Sequence, residues 1–206
     1  DTVANAYYDD DASWPHVGMS YSAAYENFTF GIAGSFQSYE VAGTRGTYTS
    51  ARDDQVYTDG SYDIDSHAVN MSAKGDFGLF TLGVTFGFGQ NAGNIGLGGA
   101  GSATFDDTDL SNPKMYDVDT TGYTIVGAFK VNDMLTLEAG YGKVSNEKDD
   151  TIDDDDTSSY YLQAAIAIAD GFIVTPEIGK FDYENDYTGA DEGDMTYFGA
   201  KWQINF

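Results

Sequence analysis

The chain is 206 residues long, contains no cysteine, and sets 34 Asp and Glu against 9 Lys and Arg for a formal charge of −25. That balance argues against a nucleic-acid partner, since a phosphate backbone rewards Lys and Arg that release counterions. The lack of cysteine removes disulfides and thiolate metal sites from consideration and fits a periplasmic route. No initiator Met, basic segment or apolar leader opens the sequence, so it reads as a mature or truncated product. Nowhere do roughly 18 apolar residues run uninterrupted, so a membrane form of this chain would have to be a β-barrel.

Apolar residues recur at period two nearly everywhere, and no window carries the spacing of an amphipathic helix. The first strand is expected over Val17 to Tyr25, with Val17, Met19, Tyr21 and Tyr25 on one face and Gly18, Ser20 and Ser22 on the other. Glu26-Asn27 turns it into a strand over Phe28 to Tyr39, and a polar loop over 42–62 follows. Ser66 to Lys74 then turns at Gly75-Asp76 into the alternating Phe80, Leu82, Val84, Phe86 and Phe88. After a Gly- and Asp-rich loop over 91–115, Tyr123 to Phe129 and Leu135 to Tyr141 form a hairpin through Asn132-Asp133. An acidic loop over 146–157 leads to Leu162 to Ile168, the Asp170-Gly171 turn gives Phe172 to Ile178, and a loop over 184–194 precedes the last strand, Thr196 to Phe206.

About nine strands result, joined alternately by very short and long connections, the asymmetry of transmembrane barrels. The expected fold is all-β: a single antiparallel up-and-down barrel domain over 1–206, with 1–16 the remnant of an outer loop and 17–206 the barrel strands. Alternation alone does not say which face is dry, because a soluble ligand-binding barrel alternates too. Side-chain size favours the membrane. The non-apolar face is built from Gly, Ser, Thr and Ala with isolated charges, and most acidic residues fall in the loops, as in Asp9 to Asp11, Asp53-Asp54, Asp106-Asp107 and Asp153 to Asp156.

The last strand, Tyr197-Phe198-Gly199-Ala200-Lys201-Trp202-Gln203-Ile204-Asn205-Phe206, stops on an aromatic and alternates throughout. It resembles the closing strand of Gram-negative outer-membrane porins of the trimeric general type. The resemblance implies recognition of the terminal aromatic by the barrel-assembly machinery, a homotrimer, and passive diffusion of small hydrophilic solutes. An odd strand count is unusual for such proteins. If the family is the 16-stranded one, the chain would correspond to its strands eight to sixteen, with the constriction loop in the absent half. The alternative uses Val3 to Tyr8 as a short rising strand in a ten-stranded barrel.

By parity Lys74, Lys130, Glu138, Gln163, Glu177 and Lys201 face the lumen, where charge stays hydrated, and are the expected pore-lining residues. Lys143 and Lys180 have the opposite parity, close to the loop rim. Tyr25, Tyr123, Tyr141, Tyr160, Trp202 and Phe206 suit an interfacial girdle. The carboxylates of Asp153, Asp154, Asp155 and Asp156 offer hard oxygen ligands for Ca2+ or Mg2+, without the order of a calcium hand; a solvated loop is the plainer reading. No other cofactor is expected. Only His16 and His67 offer imidazoles, no serine-nucleophile motif accompanies them, and Gly96 to Gly101, although G-x-G-x-x-G in form, precedes no helix and reads as a flexible loop. The sequence therefore predicts a cation-preferring outer-membrane pore set among lipid and lipopolysaccharide, and no enzyme. Its rivals are a small plugged barrel with a structural, adhesive or lipopolysaccharide/metal-binding role, and a soluble ligand-binding barrel.

Overall fold

In the computed structural model the backbone is described for residues 7–48, 55–106 and 114–205, and side chains for 14–41, 61–105 and 114–205. Nine strands form one antiparallel sheet: β1 (Tyr7–Tyr25), β2 (Phe28–Tyr48), β3 (Gln55–Asp76), β4 (Phe80–Gln90), β7 (Val118–Lys130), β8 (Leu135–Lys148), β9 (Asp155–Ala169), β10 (Phe172–Asn185) and β11 (Asp191–Ile204). A 3-10 turn at Ala92–Ile95 and a small hairpin of β5 (Thr104–Asp106) and β6 (Lys114–Tyr116) lie between β4 and β7. Every strand pairs with its sequence neighbour in the sheet, the up-and-down order expected; β1 and β11 are its two edges. Among the described residues no helix is long and apolar enough to cross a membrane.

Residues directly opposite one another across a ladder share a face. One such row runs Phe30, Ala73, Val84, Ile125, Tyr141 and Tyr160, and the apolar stripe it belongs to is solvent-facing in the isolated chain. Met19 is 76% exposed, Trp202 67% and Phe198 89%. A soluble barrel would turn these side chains into its centre. Here only Ile64, Ala68, Ala92 and Val118 are buried hydrophobics among the described residues, and they lie on the opposite face. From Phe80 to Phe88 the stripe extends about 26 Å along the strand, which at the usual tilt of about 40° rises about 20 Å, most of the height of a lipid band.

The opposite face is crowded. A methyl group on Gly31 would come 2.7 Å from Ser72 Oγ, and one on Gly87 would come 2.4 Å from Asn70 Oδ1. Converging side chains of this kind mark the concave side of a curved sheet, where glycine leaves the neighbours room.

Several boundaries differ from the sequence reading. β1 begins at Tyr7, so residues 7–16 continue the strand instead of forming a loop remnant, and Tyr7-Tyr8 belong to β1 itself and to no separate rising strand. The register shifts twice, between Asp11 and Trp14 and between Trp14 and Val17, which places Pro15 in an irregularity where its missing N–H breaks no ladder bond. The expected 42–62 loop is largely paired strand, with a continuous register from Phe28 opposite Gly75 to Tyr48 opposite Gln55. The apolar stripe stops here while backbone pairing continues, so alternation marks the lipid-facing stretch and not the full strand. Likewise β8 and β9 reach to Lys148 and start at Asp155, and β10 and β11 leave only 186–190 between them.

The turn assigned to Gly75-Asp76 sits at 77–79. Asp76 Oδ1 accepts from Gly78 N–H at 2.9 Å, Gly78 has φ 84°, and Phe77 packs edge-on to Phe28 at 5.8 Å. The other tight turns fall as expected: Glu26 takes φ 52°, Asn132 Oδ1 accepts from Met134 and Leu135 N–H, and Gly171 takes φ 74°.

If the apolar stripe lies in lipid, Val84→Arg near the middle of β4 should cost about 2–4 kcal/mol of folding free energy in bilayers, and Thr85→Arg on the other face well under half of that. Urea titration of the two variants refolded into lipid vesicles measures the difference; equal costs would contradict this orientation.

Candidate functional site

The expected pore-lining residues do share one face. Glu138 stands opposite Gln163 and Gln163 opposite Glu177, while Lys74 pairs with Thr29, Lys130 with Thr136, and Lys201 with Thr175. The three acidic-and-amide positions form a network with two tyrosines absent from the sequence expectation. Glu138 Oε1 accepts from Tyr161 OH at 2.7 Å and from Gln163 Nε2 at 2.6 Å, and Glu177 Oε1 accepts from Tyr197 OH at 2.8 Å. Lys130 pairs with Asp133 at 2.8 Å, and this ammonium holds the Asp133 carboxyl below the usual range. Among the described residues Lys74 and Lys201 form no ion pair.

Glycines decide where those tyrosine rings lie. A methyl group on Gly179 would sit 2.5, 2.5 and 2.6 Å from Cζ, the hydroxyl oxygen and Cε1 of Tyr197. Near-equal distances to three consecutive ring-side atoms place that point above the ring plane, so Tyr197 covers Gly179 with one face and turns the other away from the wall. Tyr161 covers Gly140 in the same manner, with a closest approach of 2.3 Å. Phe181 continues the strip, its centroid 5.6 Å from Tyr197 at 31°, and Tyr183 follows at 6.2 Å and 13°. Parity would have revealed all four: they are bulky rings on a face otherwise made of small residues, and attention to charge passed over them.

The connection between β4 and β7 is the second feature missed. Instead of a free Gly-rich loop, residues 91–103 fold back onto the small-residue face. Asn91, fully buried with φ 49°, donates from Nδ2 to Asp65 O at 2.9 Å and Asp117 Oδ1 at 2.7 Å, and accepts at Oδ1 from Val118 N–H at 2.9 Å. Gly101 N–H donates to Asn146 Oδ1 at 2.8 Å and Thr120 Oγ1 at 3.0 Å, and Asn94 Nδ2 donates to Tyr39 OH at 2.7 Å. A methyl group on Gly101 would meet Val118 Cγ1 at 2.1 Å, so the glycine is there for close approach. Phe105 packs edge-on to Tyr62 at 5.3 Å and ties the β5–β6 hairpin to β3. Between the tip of this loop, Leu97 to Ala100, and the wall of β7 to β10 lies an open hollow of about 560 Å³.

The acidic run does not converge. Asp153 Oδ2 accepts from Asn185 Nδ2 at 3.1 Å, Asp154 donates its own N–H to Asp153 Oδ1 at 3.0 Å, Asp155 opens β9 opposite Asn146, and Asp156 pairs with Lys143 at 2.8 Å. Among the described residues no three acidic or imidazole groups are arranged to hold a metal ion. Lys143 and Lys180 lie on the apolar-stripe face, as parity requires, each held between two carboxylates: Asp156 and Glu184 for Lys143, Asp182 and Asp194 for Lys180. Tyr25 and Trp202 lie near the short-turn ends of their strands on the same face, with Tyr123, Tyr141 and Tyr160 clustered farther along, the first two 6.0 Å apart. Phe206 falls outside the described residues. In the 186–190 loop burial pushes the Tyr187 phenol up to about 12, and Lys148 Nζ stands 4.7 Å from its ring centroid.

No protein-family model and no curated protein matches the chain. Among solved structures, OmpT of Vibrio cholerae, folded in vitro and described as an outer membrane protein, aligns with 91% of the chain at 16% identity and a TM-score of 0.50. Its loop L8 deletion variant aligns at 0.51 and its trimer form at 0.50, both also at 16% identity and over 91% of the chain. The fold is that of an outer-membrane β-barrel. The chain spans 62–64% of the length of those three chains.

Two outcomes check this geometry. Asn91→Ala removes three buried side-chain hydrogen bonds and should weaken loop attachment by on the order of 2–4 kcal/mol, read as faster protease cleavage within 93–103 with little change in the heat stability of the barrel. Asp186 Oδ1 accepts from the Thr188 hydroxyl at 2.6 Å and from the Thr188 and Ala190 N–H groups, which hold its carboxyl below the usual value. A depressed carboxyl lends the β10–β11 loop its full hold above the ordinary value, about 4, and loses it as pH falls through the lowered one. Amide exchange at Thr188 and Ala190, corrected for intrinsic rate, should accelerate on acidification through that interval, and Asp186→Ala should remove the pH dependence.

Proposed function

We propose that this chain lines a water-filled pore in a bacterial outer membrane, through which small hydrophilic solutes and ions diffuse passively, and that it carries out no catalysis. The observation that carries the reading is the division of the sheet into two unlike faces. Among the described residues the apolar stripe has no packing partner, whereas the small-residue face holds Lys74, Lys130, Glu138, Gln163, Glu177 and Lys201 together with hydroxyls and glycines. Charged groups on that face need water, and lipid offers none.

The inward-folded 91–103 segment narrows the passage without filling it, since a hollow remains between its tip and the wall. With a net charge of −25, much of it at the long-loop ends of the strands, the mouth concentrates cations, and the pore prefers them. Lipid and lipopolysaccharide surround the barrel; the acidic loops share Ca2+ or Mg2+ with their phosphate groups as diffuse counterions. Homotrimer formation and delivery by the barrel-assembly machinery follow from the porin resemblance and belong to the same proposal.

One observation favours a second reading. The β4–β7 connection is anchored at Asn91, Asn94 and Gly101, as a plug would be, so a closed barrel with a structural or adhesive role is the rival. Reversal potentials in planar bilayers under a salt gradient test the pore: the expected sign is that of cation selectivity, and an anion-selective potential would refute it. Liposome swelling in a small sugar separates the rivals, because a plugged barrel passes none.

A further inference from the structure

We infer that the aromatic strip of Tyr197, Phe181 and Tyr183 is a binding track for neutral carbohydrate, an inference that rests on the pore reading and specifies one class of solute for it. Three observations carry it. First, the rings present faces and not edges: Tyr197 covers Gly179, Phe181 is tilted 31° from Tyr197, and Tyr183 only 13° from Phe181. The three ring planes thus run close to parallel along the strip.

Second, the upper two rings border the hollow of about 560 Å³, whose lining beside them is Thr124, Gly142 and Ser159. The glycine leaves the floor open, and the two hydroxyls donate and accept hydrogen bonds. No carboxylate or ammonium of the small-residue face enters this lining; Lys143 borders it but directs its ammonium to Asp156 and Glu184 on the other face. A neutral ligand with one apolar face and a hydroxyl rim fits such a surface better than an ion does. The C–H face of a pyranose lies against the electron-rich ring faces, and its hydroxyls meet Thr124 and Ser159.

Third, the strip leads somewhere. Tyr197 OH donates to Glu177, which stands opposite Gln163, itself bonded to Glu138. From Tyr183 to Glu177 the track measures about 20 Å along the strand, so a sugar leaving the rings passes directly to groups that accept its hydroxyl protons.

The test is the ion current of the full-length protein in planar bilayers, with maltose added to one side. The expected result is a saturable fall in current with maltose. In Phe181→Ala the half-blocking concentration should rise about tenfold, in Phe181→Tyr it should stay within about twofold, and in Phe198→Ala, altered on the apolar stripe, it should not change. Open-channel current without sugar shows that each variant has folded. A current indifferent to maltose, or blocked equally in wild type and Phe181→Ala, overturns the carbohydrate track and leaves the pore standing. If wild type carries no current at all, the pore reading falls and the track with it.

Discussion

In hydrocarbon an unpaired backbone N–H or C=O has no water to turn to, and every other property of this chain follows from meeting that constraint with strands. An extended backbone points successive side chains to opposite sides. Pairing nine strands with their neighbours therefore separates the sequence into two surfaces, and the composition of each is set by the medium it meets. The stripe of Phe, Ile, Leu, Val and Tyr is under no pressure to pack against anything within the chain. Stability in such a protein comes from ladder hydrogen bonds and lipid contact more than from a core.

The same geometry makes the concave surface costly to furnish. Side chains converge there, so bulk on one strand requires space on the next, and the wall answers with alternating tyrosine and glycine: Tyr161 over Gly140, Tyr197 over Gly179. Covering glycine with a ring protects a weak point of the ladder and keeps the side chain close to the wall, because a ring lying flat reaches less far from the sheet than one standing out. The hydroxyls then reach Glu138 and Glu177 and hold the two carboxylates in place.

What was legible in the sequence is what the lipid imposes. Strand parity, strand order, most short turns and the shared face of Lys74, Lys130, Glu138, Gln163, Glu177 and Lys201 follow from alternation, and alternation is strong wherever one face meets hydrocarbon. It fades outside, which is why β2 and β3 continue through residues that look like a polar loop, and why β1 starts at Tyr7. The folding-back of 91–103 was not legible because it depends on long-range partners. Nothing local connects Asn91 to Asp65, or Gly101 to Asn146, although the tight Gly–Gly spacing records that the chain comes close to something. Phe181 and Tyr183 share the parity of Glu177 and were legible on that ground, although they lie beyond Ile178, where the apolar stripe has ended.

The paired irregularities in β1 around Trp14 and Pro15 bear on how that border of the sheet is finished. Proline brings no amide hydrogen, and a shifted register turns neighbouring carbonyls out of line, so a further strand laid along β1 can zip without interruption only beside Val17 to Tyr25. That segment is about as long as the hydrocarbon is thick. Above it water can take over each contact the irregularities remove, so pairing along that border is compulsory only at the depth where nothing else could substitute for it.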